Sequence, residues 1–289
     1  MTSQPLVAPK TLDAYRRDGA VCLPQCFSEA WVDVLNRGVD RNIANPGECF
    51  SVFSSATDAA RAIADDWCWE RIPEYQEFFR SSPAAQIAGE LMGAQEVRFL
   101  EDQYFQKDAG SSTPTPWHQD QPYYDIEGRW CVMWIPLDAV AETDSLRFVP
   151  GSHLWGRLFH PTNFSTTGSG LYARTAASSN LEPMIDVDSD PEKYPTVAWA
   201  VQPGDCVVFH PCTIHGNRGN HSTGRARRLS LRWTAEDVVY VAGARPWPGL
   251  PRDHGLRDGH RIHGSKFPLV WTRANGLVQA PSAVQSGTD

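Results

Sequence analysis

The chain has 289 residues, of which 41% are hydrophobic and 21% charged, enough apolar material for a sizeable core in one domain. Its formal net charge of −8 and pI near 5.6 argue against nucleic acid as a general partner. No apolar run approaches the ~18 residues of a membrane span, and Met1–Lys10 lacks the apolar core of a signal peptide.

Thr11 to Gly19 reads as a short helix, capped by Thr11 and ended by Gly19. Ala20 to Pro24 is a short strand. Ser28 then caps a longer helix in which Trp31, Val34, Leu35 and Val39 recur at helical spacing. Asn45-Pro46-Gly47 breaks it. A helical pattern is expected from Ala56 to Gln76, with a break at Pro73, and Ser82-Pro83 opens another helix ending near Gly93. The first third, about residues 10–93, is thus predicted to be mainly helical, its aromatics serving as core.

From Glu96 the character changes. Strands are predicted at Val97–Leu100, Gln103–Lys107, Cys131–Leu137, Leu146–Val149, Val197–Val201, Cys206–Phe209 and Arg228–Trp233. Short strands bounded by Gly, Pro and Asp turns suggest a sandwich or jelly-roll barrel over about 96–240. Pro161 to Asp190 is polar, long and aperiodic, as active-site lids are. The extension from about 241 ends in a polar tail after Asn275, predicted to be mobile. The seven cysteines are an odd number without a Cys-x-x-Cys pair. They read as reduced thiols in a cytoplasmic protein.

One stretch organises the chemistry. Trp117-His118-Gln119-Asp120 sets an imidazole and a carboxylate two residues apart, so that in an extended segment both face one way. His215, beyond the predicted strand Cys206–Phe209, is the candidate third ligand. Two histidines and a carboxylate on one face of a metal are the ligand set of non-haem Fe(II) oxygenases. A lone His-x-Asp is weak, since His118 can be a surface histidine and Asp120 a turn residue before Pro122. Trp117 with Tyr123 and Tyr124 as an aromatic wall, and the strand running into His215 from the turn Pro203-Gly204-Asp205, tip the reading toward a metal site. Gln121, Tyr123 and Tyr124 follow the motif directly and are candidates to face substrate.

Further segments carry a resemblance: Asp102–Lys107, Thr115–Asp120, Trp134–Asp138, Arg147–His153, Pro203-Gly204-Asp205, and His215-Gly216 through Asn220-x-Ser222. Together they make the chain resemble the phytanoyl-CoA dioxygenase family of Fe(II)/2-oxoglutarate-dependent oxygenases. The resemblance implies a mainly β fold with flanking helices. Its core would be a double-stranded β-helix (jelly-roll, cupin-like), in a single domain spanning 1–289. It implies Fe(II), 2-oxoglutarate and O2, with iron on His118, Asp120 and His215. Gln103 and Trp134 match family positions lining the co-substrate pocket, whereas Lys107 reads as a surface lysine. Asp120 fills the position that halogenating relatives leave to chloride, so hydroxylation or another oxidation is expected.

One departure stands out. The family's arginine for the distal carboxylate of 2-oxoglutarate falls, without gaps, on Ala226. Strand alternation puts Ala226, Arg228, Ser230 and Arg232 on one face, which favours Arg228. A shift of one residue favours Arg227. A guanidinium suits this role because it clasps a carboxylate bidentately. The expected activity is oxidation of a small soluble metabolite by a monomer or homodimer, without nucleic acid or membrane. Two other classes are a non-haem iron enzyme that does not use 2-oxoglutarate and a non-catalytic β-barrel binding protein; succinate formation separates them from the first.

Overall fold

In the computed structural model the structure describes residues 4–54, 60–161, 181–244, 249–251 and 253–278. The helices are α1 (Pro9–Asp18), α2 (Glu29–Ala44), α3 (Pro73–Ser81) and α4 (Ala84–Met92). The strands are β1 (Ala20–Leu23), β2 (Ser51–Val52), β3 (Ala62–Asp66), β4 (Glu96–Lys107), β5 (Thr115–His118), β6 (Ile126–Glu127), β7 (Trp130–Pro136), β8 (Arg147–Phe148), β9 (Cys206–Phe209), β10 (His215–Asn217), β11 (Ala226–Ala235), β12 (Val239–Tyr240), β13 (Leu269–Thr272) and β14 (Gly276–Leu277). Among the described residues they form a nine-stranded antiparallel sheet in the order β1-β9-β7-β11-β4-β13-β14, with β3 on β4 and β2 on β3. A three-stranded sheet, β5-β10-β8, and the pair β12-β6 complete the set.

The central strands β7, β9 and β11 of the large sheet are buried on both faces, and alternation sorts their side chains. Leu229, Leu231 and Trp233 of β11 join Cys131, Met133 and Ile135 of β7 and Phe99 of β4 in a cluster with helical residues such as Phe78, Phe79 and Leu91. The Phe79 and Phe99 rings stack at 4.1 Å. Trp233 is completely buried, and truncating such a tryptophan to alanine costs about 3–5 kcal/mol. The other face carries Val132, Trp134, Val207 and Phe209 into a second cluster with Phe148 of the small sheet. Arg228, Ser230 and Arg232 belong to this inner side, opposite Phe105, Gln103 and Glu101 of β4. A bulge follows: Arg232 pairs with Glu101 but Trp233 with Phe99, so Leu100 is the extra residue and turns into the inner cluster.

The motif residues hold this frame together. Asp205 accepts hydrogen bonds from the Gln25 and Gln202 amides, both at 2.8 Å. Gly204 adopts φ +99°, and a Cβ there would lie 2.9 Å from the Phe27 carbonyl oxygen, so the turn into β9 requires glycine. Asn220 Nδ2 donates to the carbonyls of Lys107, Asp108 and Gly224 at 2.8–3.1 Å, which ties the loop before β11 to the end of β4.

Several expectations are corrected. Ala56–Gln76 is not one helix: residues 55–59 lie outside the described residues, Ala62–Asp66 is strand β3, and the helix begins only at Pro73. The N-terminal third is therefore mixed. Pairing with β4 supplies β3 with its hydrogen bonds, a long-range partner that local periodicity does not show. The two strands predicted at Val97–Leu100 and Gln103–Lys107 are one, β4. Val197–Val201 makes only isolated bridges, Phe148 to Val197 and Val140 to Val201. The predicted lid lies mostly outside the described residues, at 162–180, and so does most of the predicted tail, at 279–289. Gly276–Leu277, expected in that tail, pairs with β13.

Candidate metal centre

His118 ends β5 and His215 opens β10, and the antiparallel register sets them opposite one another. Their rings lie 4.1 Å apart, as expected for directly opposed residues. The strands can approach so closely because Gly216 has no side chain: a Cβ there would sit 2.9 Å from the Thr115 carbonyl oxygen and 3.2 Å from the Trp117 ring. Asp120 joins them by a different route from simple alternation. Its backbone is helical, φ −78° and ψ −33°, and its amide donates to the Pro211 carbonyl at 2.8 Å. The turn, not an extended strand, brings the carboxylate beneath the imidazoles.

One ligating atom from each of His118, Asp120 and His215 lies within 4.8 Å of the others, and all three residues are buried. Asp120 Oδ1 is 3.3 Å from His118 Nε2 and 3.7 Å from His215 Nε2. Each ring is fixed from behind: His118 Nδ1 meets the Pro116 carbonyl at 2.8 Å, and His215 Nδ1 meets that of Thr213 at 2.9 Å. A carbonyl can only accept, so Nδ1 carries a proton and each Nε2 is the nitrogen turned inward. Burial and the neighbouring His118 push the His215 imidazole down to about 3, which keeps it neutral. Burial alone would raise the Asp120 carboxyl, but Arg232 and the two imidazoles hold it well below the usual carboxylate range. Two imidazoles and one carboxylate, held in place by these contacts, fit a divalent iron with open positions.

The inner face of β11 then supplies two arginines, four residues apart and so about 13 Å apart along the strand at ~3.3 Å per residue. Arg228 is 4% exposed. Its guanidinium lies over the Trp134 ring at 5.6 Å, and its Nη2 is buried without a hydrogen-bond partner. Lys107, expected at the surface, is 3% exposed. Its Nζ donates to Asn217 Oδ1 at 2.7 Å and Thr115 Oγ1 at 3.1 Å. Burial and Arg228 push its ammonium down to about 6. Arg227 faces the other way, clasping Asp138 through Nε at 3.0 Å and Nη2 at 2.8 Å. Strand phase therefore holds as alternation predicts.

Arg232 sits beside the ligands. Its Nη2 donates to Gln103 Oε1 at 2.8 Å and to Asp120 Oδ2 at 3.3 Å, its Nη1 is 3.5 Å from Glu101 Oε2, and it lies 5.2 Å from the Tyr124 ring centre. Tyr124 donates its hydroxyl to Glu101. Burial raises the Glu101 carboxyl to about 8 despite Arg232. Of the residues expected near cofactor or substrate, Gln103 thus stands on the Arg232 side and Trp134 under Arg228. Tyr123 meets His118 edge-on at 6.0 Å. Gln121 spends its amide inside the protein, donating to the Ile126 carbonyl at 2.6 Å and accepting from Trp130 Nε1 at 2.7 Å. Trp117 does not wall the site; it packs with Val149 and Ile214 on the far face and donates to Asp188 at 2.8 Å. Sequence reasoning missed Glu101, which has no local signal. It placed Arg232 on the inner face by alternation without giving it a part.

A family model for phytanoyl-CoA dioxygenase (PhyH) matches residues 15–229. The chain belongs to that family of Fe(II)/2-oxoglutarate-dependent dioxygenases. It is 30% identical over 135 residues to the probable alpha-ketoglutarate-dependent hypophosphite dioxygenase of Stutzerimonas stutzeri, covering 46% of this chain and 44% of that protein. It is 25% identical over 126 residues to a probable phytanoyl-CoA dioxygenase of Caenorhabditis elegans, covering 43% and 37%. The chain thus matches less than half the length of these relatives. Among solved structures, the non-heme alpha ketoglutarate dependent carbocyclase SnoK from nogalamycin biosynthesis superposes with a TM-score of 0.70 at 24% identity, covering 92% of this chain and 97% of that one. The epimerase SnoN, in complex with Fe3+, alpha ketoglutarate and nogalamycin RO, gives 0.67 at 22% identity, covering 90% and 97%. These likenesses show the shared fold, the double-stranded β-helix of 2-oxoglutarate oxygenases.

Among the described residues, no helix is long and apolar enough to cross a membrane.

Proposed function

We propose that this protein is an Fe(II)/2-oxoglutarate-dependent dioxygenase that hydroxylates a small-molecule metabolite with release of succinate and CO2. It acts as one catalytic domain, in a cytoplasmic monomer or homodimer. The observation that carries this is the convergence of His118, Asp120 and His215 within 4.8 Å, with both rings fixed through Nδ1 so that Nε2 faces inward. Iron and 2-oxoglutarate, when bound, supply the oxidative decarboxylation that turns dioxygen into an oxidant of C–H bonds.

The residues divide the remaining work. His118, Asp120 and His215 hold the metal on one face and leave the others to exchangeable ligands. Arg228 and Lys107 receive the distal carboxylate of 2-oxoglutarate against Trp134. A buried guanidinium with an unpartnered Nη2 is an incomplete ion pair, and a carboxylate completes it. This answers the objection raised by Ala226: a small residue there is compatible with an anchor two positions on. Tyr123, edge-on to His118, and the neighbouring aromatic rings exclude water from the reacting centre. The relatives include enzymes of differing chemistry, so the substrate is inferred only as a soluble metabolite.

The test is anaerobic loading with Fe(II) and 2-oxoglutarate, followed by exposure to oxygen. We expect a visible charge-transfer band on loading, then succinate. A screened substrate should couple succinate to a product heavier by one oxygen atom. A band without succinate would favour a binding protein, and oxidation without 2-oxoglutarate would favour a different iron oxygenase.

A further inference from the structure

Arg232 is the one guanidinium among the described residues that touches a candidate iron ligand. Its contact is with Asp120 Oδ2, whereas Oδ1 is the oxygen turned to the two Nε2 atoms. One carboxylate oxygen thus meets Arg232, while the other faces the two imidazoles. Arg232 is itself held: Gln103 Oε1 shares its Nη2, Glu101 faces its Nη1, and the Tyr124 ring lies against the guanidinium. Four partners from β4 and from the loop after β5 therefore converge on a residue of β11.

We infer that Arg232 is the positioning residue for the Asp120 ligand, holding Oδ2 so that Oδ1 alone is presented to the metal. The inference rests on the iron reading above and deepens it. Each ligand then has its own support: the Pro116 carbonyl for His118, the Thr213 carbonyl for His215 and Arg232 for Asp120. A carboxylate without such a support can rotate and offer both oxygens, which takes up a coordination position that co-substrate or dioxygen needs. The geometry also explains why arginine stands here. One Nη2 reaches both Gln103 and Asp120 while Nη1 turns to Glu101, and a lysine's single nitrogen cannot span all three.

The experiment uses metal binding to the full-length apo protein, read by anaerobic Fe(II) titration and by the visible spectrum of the Co(II) form. Losing an outer partner of a metal ligand typically costs ~10–100-fold in affinity. Arg232→Met should weaken both metals by that factor and change the Co(II) spectrum. Arg232→Lys should restore part of the affinity. Glu101→Gln, which removes one neighbour of Arg232 but leaves its contacts with Gln103 and Asp120, should weaken metal binding clearly less than Arg232→Met. Since Arg232→Met leaves Glu101 and Asp120 without their cation and can fail to fold, the double variant Arg232→Met/Glu101→Gln is measured alongside, and should show the same weak binding. Wild-type affinity and spectrum in Arg232→Met, or in the folded double variant, would overturn the inference. So would an equal loss in Glu101→Gln, because the effect would then belong to the buried charge cluster as a whole. A His118→Ala control separates the two readings. If the wild type binds metal no better than this control, the iron reading itself fails. If it binds through His118 but Arg232→Met is unaffected, only this inference fails.

Discussion

Arg228 and Arg232 share a strand, a face and nearly complete burial, yet their surroundings are opposite. Arg232 is surrounded by acceptors: the Asp120 carboxylate, the Glu101 carboxyl and the amide oxygen of Gln103. Burial alone would lower its already high pKa, but Tyr124, Glu101 and Asp120 raise it further. Arg228 has an aromatic ring beneath it and a lysine beside it, and burial pushes it down to about 10. A buried charge costs several kcal/mol unless it is paired. At Arg232 Nη2 donates to Gln103 and Asp120 and Nη1 has Glu101 at 3.5 Å, although Nε and Nη1 make no hydrogen bond, so its charge is paired within the fold and the residue is part of the scaffold. At Arg228 the pairing is left to something that arrives. Within one site, a support differs from a receptor in the acceptors the fold has already placed around it.

The largest effect is expected from the three candidate metal ligands. Asp120→Ala, and likewise His118→Ala or His215→Ala, should abolish iron binding and turnover with circular dichroism unchanged. Iron content and spectra measured side by side check this. Full activity in any of the three would remove that residue from the ligand set.

The next largest effect should separate the arginines. Arg228→Ala should raise KM for 2-oxoglutarate by well over tenfold, since losing one partner of a charge-assisted pair costs ~2–5 kcal/mol. Fe(II) affinity in the absence of 2-oxoglutarate should barely change. Arg232→Met is expected to give the reverse pattern, with metal affinity lost first. Should Arg228→Ala leave the 2-oxoglutarate dependence intact, Arg228 is a support like its neighbour and the contrast collapses.

Lys107 sharpens the receptor end through pH. In the free protein its ammonium is pushed down to about 6 by burial and then by Arg228. A carboxylate bound beside it favours the charged form. Above pH 6 the bound state therefore holds a proton that the free state lacks, and affinity for 2-oxoglutarate must fall as pH rises. Calorimetric titration in buffers of different ionisation enthalpy should show proton uptake on binding at pH 7–8, and Lys107→Met should abolish it. Uptake that survives the substitution would assign the proton to another group.

The smallest effect on catalysis is expected from Arg227→Ala. This guanidinium already has Asp138 and lies on the opposite face. Its loss should lower thermal stability, by roughly the 1–3 kcal/mol of a partner left unpaired, and leave KM for 2-oxoglutarate unchanged. A large rise in KM would mean that the strand is shifted by one residue.

Much of the site was legible along the chain. His118, Asp120 and His215 stood out by residue type, and the alternation of β11 put Arg228 and not Arg227 inside. What alternation could not show is what each inward residue meets. Lys107 read as surface because lysines usually are; it is buried because Asn217, 110 residues later, brings an oxygen to its ammonium. Glu101 carried no signal, since its partners Tyr124 and Arg232 come from another loop and another strand. Ala62–Asp66 read as helix because a short segment's own pattern does not say whether a strand lies alongside to pair with it.

By itself the sequence determined the ligand chemistry, the family and the phase of the arginine strand, because residue type and a two-residue period are local properties of the chain. Tertiary structure decided the rest. It turned Asp120 under the imidazoles by a helical turn where extended backbone was expected, set His118 against His215 by strand register, and gave Arg232 its acidic partners while leaving Arg228 with none. Those outcomes depend on which distant strands lie side by side, and the electrostatics of a buried charge are set by such neighbours and not by its position in the chain.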